Sequence, residues 1–157
     1  MIQLDPDLDL QLDRYLDAAP EKVFRCWTEP ALICQWFCPK PWFVSEAVVD
    51  PRPGGRFFTL TNGPDGEVVP NEGALLEIVP DRKLVFTDMF RADWRPAPDA
   101  GLGFAAIVTM EPEGAGTRYR AIARHRRPDE AETHRKMGFH DGWGTAADQL
   151  VEIAKGF

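Results

Sequence analysis

The sequence predicts an α+β fold in which a curved antiparallel sheet of about six or seven strands packs on a long C-terminal helix. Three observations predict this class. The segment DLDLQLDRYLD near the start alternates leucines with polar residues, which is typical of a strand with one buried face. The middle of the chain divides into short apolar segments separated by turn residues. The segment from Asp129 to Lys155 contains no proline and repeats its apolar residues at helical spacing.

Two short helices are predicted after the first strand. In AAPEKVFRCWTEP, Pro20 and Glu21 suit a first helical turn. Pro30 ends this helix and opens a second one. The apolar residues of the second helix recur at intervals of three to four: Leu32, Ile33, Trp36 and Phe37. The two helices therefore form a small helical corner next to the sheet.

The next segments have the composition of strands bounded by turns. Four of them are WFVSEAVVD, RFFTLTN, GALLEIVP and KLVFTDMF, and DPRPGG before the second is predicted to be a tight turn. RADWRPAPDAGLG is rich in proline and small residues and is predicted to be a loop. FAAIVTMEP and TRYRAIARH follow as a last pair of strands. This succession predicts an antiparallel meander.

The C-terminal segment is predicted to form one amphipathic helix. At about 100° per residue, one face carries Phe139, His140, Trp143, Ala147, Leu150, Val151 and Ala154. This face needs an apolar surface, and the sheet is the available one. His134 falls on the opposite side, which predicts that it faces solvent. His140 is predicted to be the only histidine of this helix that faces the sheet.

Composition limits the class of protein. The 157 residues, 44% of them hydrophobic, predict one domain spanning residues 1–157. A net charge of −7 argues against nucleic acid as a partner. No apolar run approaches the roughly 18 to 20 residues of a membrane helix, so membrane insertion is not expected. The acidic start predicts no secretory signal and hence a cytoplasmic protein. The sequence leaves a homodimer open.

Cys34 and Cys38 lie four residues apart in ICQWFCPKPW and raise the question of a metal or redox site. A structural zinc ion needs four ligands, and neither Cys26 nor any histidine has a paired spacing. The spacing also differs from the C-x-x-C redox motif. The cysteines are therefore predicted to be free thiols that pack beside Trp36 and Phe37. No metal and no cofactor are expected.

Five segments, in their order and spacing, resemble one family. They are APEKVFRCWTEPALICQWFCP, DPRPGGRF, GALLEIVPDRKLVFTDMF, GTRYRAIARH and HRKMGFHDGWGTAADQL. The family is the activator-of-heat-shock-protein-ATPase-like branch of the START-like superfamily, which is also called SRPBCC or birch-pollen-allergen-like. The resemblance covers about residues 8 to 155. It implies a helix-grip fold with a deep apolar cavity between the sheet and the long helix.

Small residues line both predicted walls of that cavity. Ala106, Ala121 and Ala123 on the last strands and Gly138, Gly142 and Gly144 on the helix either let the two elements approach closely or leave a space; the resemblance favours a space. The residues expected to contact a ligand there are Trp36, Phe37, Trp42, Phe58, Phe86, Phe90, Trp94, Phe104, Tyr119, His140 and Trp143. Glu72, Asp88 and Arg120 are further polar candidates, although Arg118, Arg120 and Arg124 alternate toward the outer face.

Three functions remain in view. The first is a protein that binds a small apolar or aromatic molecule, oriented by one or two polar groups. The second, which the resemblance permits, is a cyclase, dehydratase or hydrolase of a hydrophobic substrate that uses His140 as general acid or base; a paired core histidine is the alternative interpretation of that residue. No catalytic triad order or phosphate-binding loop stands out, so a classical enzyme is less favoured. The third is a stress-related, co-chaperone-like interaction protein, the role that names the branch.

Overall fold

A computed structural model describes residues 2–99 and 101–157. Its helices are α1 (Pro20–Thr28), α2 (Pro30–Trp36), α3 (Pro128–Lys136) and α4 (Phe139–Lys155). Its strands are β1 (Asp9–Leu16), β2 (Phe43–Val49), β3 (Arg56–Asn62), β4 (Val68–Val79), β5 (Lys83–Thr87), β6 (Phe90–Arg91), β7 (Arg95–Pro96), β8 (Phe104–Glu113) and β9 (Gly116–His125).

Seven of the described strands form one antiparallel sheet in the order β1-β9-β8-β5-β4-β3-β2. The first strand therefore lies beside the last, and the meander from β2 to β5 joins this pair through β8. The small hairpin of β6 and β7 begins at Phe90 and continues into the predicted loop at residues 91–103. Ala100 lies outside the described residues. The α+β class predicted from the sequence is confirmed.

The burial of the leucines in β1 confirms that this strand has one buried face. Leu10, Leu12 and Leu16 are buried, and in the register of the sheet Leu10 lies opposite Ala123 and Leu12 opposite Ala121. Both alanines are fully buried, and α1 packs over β8 and β9. At this place the small residues permit close approach of helix and sheet.

The helical corner also forms as predicted. Pro20 and Pro30 occupy the first turns of α1 and α2, where the missing proline N–H costs no hydrogen bond. The indole N–H of Trp36 donates to the carbonyl oxygen of Cys26 at 2.8 Å. This bond joins the end of α2 to α1 and holds the Trp36 ring against the core.

The prediction of a single C-terminal helix from Asp129 to Lys155 is wrong in one respect. The segment divides into α3 and α4 at Gly138, whose φ of 90° lies in the left-handed region. Glycine adopts this conformation without the steric cost that other residues meet. Because the chain changes direction there, the angular count of 100° per residue does not extend across the break.

The break reverses two predictions for histidines. His134, predicted to face solvent, is only 6% exposed. His140, predicted to face the sheet, is exposed in the first turn of α4. By contrast, the arginines of β9 form the predicted outer row, in which Arg118 and Arg120 both bond to Asp13.

Candidate functional site

A cavity of about 1020 Å³ lies between the sheet and the helices. Its wall contains ten aromatic side chains: Trp27, Trp36, Phe37, Trp42, Phe57, Phe86, Phe104, Tyr119, Phe139 and Trp143. Ligand pockets typically measure about 300–1,000 Å³ and are lined mainly by apolar and aromatic groups. The space is therefore large enough, and apolar enough, to hold a small organic molecule. A second pocket of about 350 Å³ borders it on the other side of Trp36 and Phe37.

One end of the cavity is an aromatic cluster built on α1, α2 and the middle strands. The ring of Trp27 lies 4.9 Å from that of Trp36 and 5.6 Å from that of Phe86, and Phe57 lies 4.8 Å from Phe86. Edge-on and tilted aromatic pairs at these distances stabilise beyond their buried area. Together these packed rings close one end of the cavity.

A buried hydrogen bond fixes the orientation of Trp27. Its indole N–H donates to the hydroxyl oxygen of Tyr119 at 3.1 Å, and both residues are 3% exposed. Burial raises the pKa of the Tyr119 hydroxyl well above its usual range, so the group stays protonated. Tyr119 thereby remains a neutral hydroxyl at the cavity wall.

We expect Tyr119→Phe to lower the free energy of unfolding by about 1–3 kcal/mol, because the Trp27 indole N–H would lose its partner in a buried site. Trp27→Phe and the double variant complete a mutant cycle measured by urea denaturation. The two changes should couple by at least about 0.5 kcal/mol. Additive effects would show that the bond contributes little.

The other end of the cavity is formed around His134. Its ring lies 5.3 Å from that of Phe104, 5.2 Å from Phe139 and 5.9 Å from Trp143. His125, at the end of β9, contacts it from behind, with His125 Nε2 and His134 Nδ1 2.9 Å apart. His134 is the histidine that lines the cavity among the described residues.

Seven of the residues expected from the sequence to contact a ligand line the cavity: Trp36, Phe37, Trp42, Phe86, Phe104, Tyr119 and Trp143. Four do not. Phe58 alternates with Phe57 along β3 and lies on the opposite face of the sheet, under the guanidinium of Arg56 at 4.5 Å. Phe90 and Trp94 pack on each other at the β6–β7 hairpin, 6.4 Å between ring centroids.

The fourth, His140, contacts Phe139 at 5.1 Å between ring centroids but lies at the surface. Phe139 itself turns into the cavity and is 1% exposed. The helix break at Gly138 sets this orientation, so the sequence prediction that placed His140 in the cavity is wrong.

Sequence reasoning missed Trp27, Phe57, Phe139 and His134 as cavity residues. For Phe57 the sequence offers no clear signal, since RFFTLTN carries an apolar side chain on both faces. For His134 the pair Met137-Gly138 is a signal, because glycine often follows the last turn of a helix. A helix ending there would have removed the argument that His134 faces outward.

Two carboxylates at the cavity wall, Asp88 and Glu72, already have hydrogen-bonding partners. Asp88 accepts hydrogen bonds from the backbone N–H groups of Leu102, Gly103 and Phe104 at 2.8, 3.2 and 3.0 Å. It therefore holds the loop before β8. Glu72 forms a bidentate ion pair with Arg56, with N···O distances of 2.9 and 2.8 Å.

Other polar groups at the wall are similarly paired. Thr87 donates to the Phe104 carbonyl at 2.8 Å. Thr59 accepts from the side-chain amide of Asn71 at 3.2 Å. Arg91 donates to the carbonyl oxygen of Glu72 at 3.0 Å and lies 3.6 Å from the carboxylate of Asp99. Apart from these paired groups, a molecule in the cavity would meet the aromatic rings, the Tyr119 hydroxyl and the imidazole of His134.

The cysteines are free thiols. Burial raises the pKa of Cys26 to about 12 and that of Cys38 to about 11, so both are protonated and weakly nucleophilic near neutral pH. Within the described residues, no cluster of three or more potential metal ligands is found. Cys38 lines the cavity, just beyond the last residue of α2.

Several solved structures are similar to this one. The crystal structure of a protein from Nitrosomonas europaea is 41% identical, with a TM-score of 0.93 over 98% of this chain and 97% of that one. A Rhodobacter sphaeroides protein is 18% identical, with a TM-score of 0.82 over 100% and 99% of the two chains. The AHSA1 protein from Silicibacter pomeroyi is 23% identical, with a TM-score of 0.70 over 95% of this chain and 99% of that one. The last two show likeness of fold alone.

Comparison with curated proteins finds no match. Among the described helices, none has the length and apolar character needed to cross a membrane. The family model of the activator of Hsp90 ATPase homolog 1-like proteins matches residues 17–155. This range includes every helix and strand given above except β1. On this evidence the chain belongs to the family of activator of Hsp90 ATPase homolog 1-like proteins.

Proposed function

We infer that the protein binds a small apolar or aromatic molecule in the cavity between the sheet and the helices. The observation that carries this proposal is the combination of a volume of about 1020 Å³ with ten aromatic side chains in its wall. A molecule enclosed there would gain about 25 cal/mol for each Å² of apolar surface removed from water. Glu72 and Arg91 in the wall are paired with Arg56 and Asp99, and Tyr119 is neutral, which favours an uncharged ligand.

The alternatives have weaker support. No observation supports His140 as a general acid or base, because that side chain lies at the surface and outside the cavity wall. A co-chaperone-like role rests on the family description alone. Binding is therefore the function proposed.

The experiment is a titration with N-phenyl-1-naphthylamine, an uncharged probe whose fluorescence rises in apolar surroundings. The proposal predicts saturable binding of one molecule per chain, and displacement by other uncharged aromatic molecules. Fluorescence that rises linearly without saturation would contradict it. Protection of Cys38 from alkylation by the bound probe would support the same site.

Trp143→Ala tests the wall directly. The ring of Trp143 lines the cavity and packs on Phe139 at 4.6 Å, so we expect the affinity for N-phenyl-1-naphthylamine to fall about tenfold. Trp94→Ala is the matched control, because Trp94 is 50% exposed and lies outside the wall. Equal losses in the two variants would argue against the cavity as the site.

A further inference from the structure

The hydrogen bonds of two buried histidines fix the tautomer of His134. His125 Nδ1 lies 2.9 Å from the carbonyl oxygen of Leu8, and a carbonyl only accepts, so Nδ1 must carry the proton. In a neutral His125 the other nitrogen, Nε2, is then an acceptor. Its partner at 2.9 Å is His134 Nδ1, which must donate. In a neutral His134 the remaining nitrogen, Nε2, consequently carries a lone pair and no proton.

The ring that carries this lone pair borders the cavity. His134 is 6% exposed and lines the cavity wall. Within residues 2–99 and 101–157, no hydrogen bond to its Nε2 is found, and no fully buried side-chain nitrogen or oxygen lacks a partner. The Nε2 atom therefore keeps accessible surface, and the cavity is the space that the His134 ring borders.

The surroundings keep His134 neutral. Burial, together with the nearby His125, lowers the pKa of His134 to about 4. On α3, Arg135 and Glu132 on either side of His134 are paired with each other. Glu130 is paired at 2.5 Å with Arg126, which precedes the helix. At neutral pH His134 is therefore an acceptor and not a cation.

We propose that His134 Nε2 is the polar anchor of the cavity, and that the cavity selects uncharged aromatic molecules carrying a hydroxyl donor over their methyl ethers and over carboxylates. A hydroxyl can donate to the lone pair, whereas a methoxy group or a carboxylate presents only acceptors to it. The rings of Phe104, Phe139 and Trp143 surround the anchor and would pack on the ring that bears the hydroxyl. This inference rests on the proposed binding function.

His125 acts as a positioning residue for the anchor. It contacts His134 and the Leu8 carbonyl, and it forces the proton of His134 onto Nδ1. Without it, His134 could place its proton on either nitrogen, and Nε2 could become a donor. We expect His125→Phe to reduce the preference for a hydroxyl in part and to change the tautomer of His134, which ¹⁵N NMR of the imidazole reports.

The test compares 1-hydroxypyrene with 1-methoxypyrene at pH 7. We expect the wild-type protein to bind the hydroxyl compound about tenfold more tightly, the effect of one hydrogen bond to a buried acceptor. The ¹⁵N resonance of His134 Nε2 should move with 1-hydroxypyrene and not with 1-methoxypyrene. In His134→Phe the two affinities should become equal through loss of the hydroxyl compound's advantage. His140→Phe, at an exposed histidine, should keep the wild-type ratio.

The two proposals fail differently. Equal affinity of wild-type protein for both pyrenes, or an unmoved Nε2 resonance, would overturn the anchor while leaving the binding function standing. Binding of neither pyrene nor N-phenyl-1-naphthylamine would overturn both. Because the wild-type comparison comes first, the test does not depend on whether His134→Phe folds.

Discussion

Gly142→Trp is expected to weaken the binding of N-phenyl-1-naphthylamine at least tenfold while leaving the protein folded. Gly142 lies in α4 and lines the cavity, and a Cβ built on it meets no atom within 4 Å. The indole would therefore extend into the space that the proposal assigns to the ligand. After proline, glycine is the residue least favourable to an α-helix, so replacing Gly142 does not weaken the helix.

Gly142→Ala is the matched control. A methyl group fills little of the cavity, so affinity should stay close to wild type, and the free energy of unfolding should rise by about 1 kcal/mol because alanine favours the helix over glycine. Fluorescence titration and urea denaturation of the three proteins give both quantities. Wild-type affinity in a folded Gly142→Trp variant would place the ligand somewhere other than the cavity.

Acidification from pH 6.5 to 4.5 is expected to lower the free energy of unfolding of the wild-type protein by on the order of 2 kcal/mol more than that of His134→Phe. The pKa of His134 is lowered to about 4 by burial and by His125, whereas an unfolded histidine titrates near 6.5. Between these values the unfolded chain binds a proton that the folded chain does not. The contribution that His134 makes in this way to the free energy of unfolding is therefore fully present above pH 6.5, and it is lost as the pH falls toward 4.

The slope of stability against pH is the quantity to measure, by urea denaturation at several pH values. It does not depend on how much His134→Phe changes stability at neutral pH. The exposed His140 provides the control, and His140→Phe should keep the wild-type slope. If His134→Phe lost stability on acidification as steeply as wild type, His134 would have an ordinary pKa, and its burial would not have the effect assigned to it.

The sequence predicts the fold correctly where the local pattern and the tertiary packing agree. The leucines of β1 alternate in sequence and are buried on one face, and Pro20 and Pro30 start the two helices they were expected to start. The break at Gly138 was missed because a single left-handed residue leaves the apolar spacing on both sides almost unchanged. Hydrophobic periodicity therefore predicts that helix is present but not where its axis turns.

The cavity wall was predictable only in part. Large aromatic residues on the helical corner and on β5 had few alternatives to the interior, and Trp36 and Phe86 lie there. Phe57 and Phe58 are adjacent and equally apolar, and the choice between them depends on the register of β3, which no local signal fixes. The exchange of roles between His134 and His140 follows from the break at Gly138.

The most direct test of the central proposal is the set of intermolecular nuclear Overhauser effects between bound N-phenyl-1-naphthylamine and methyl-labelled protein. Methyl groups lie at separate places in the cavity wall, among them those of Leu102, Met137 and Ala146. We predict contacts from the probe to these methyl groups. Contacts confined to exposed apolar side chains outside the wall, such as Val68 and Val69 at 59% and 43% exposure, would contradict the proposal.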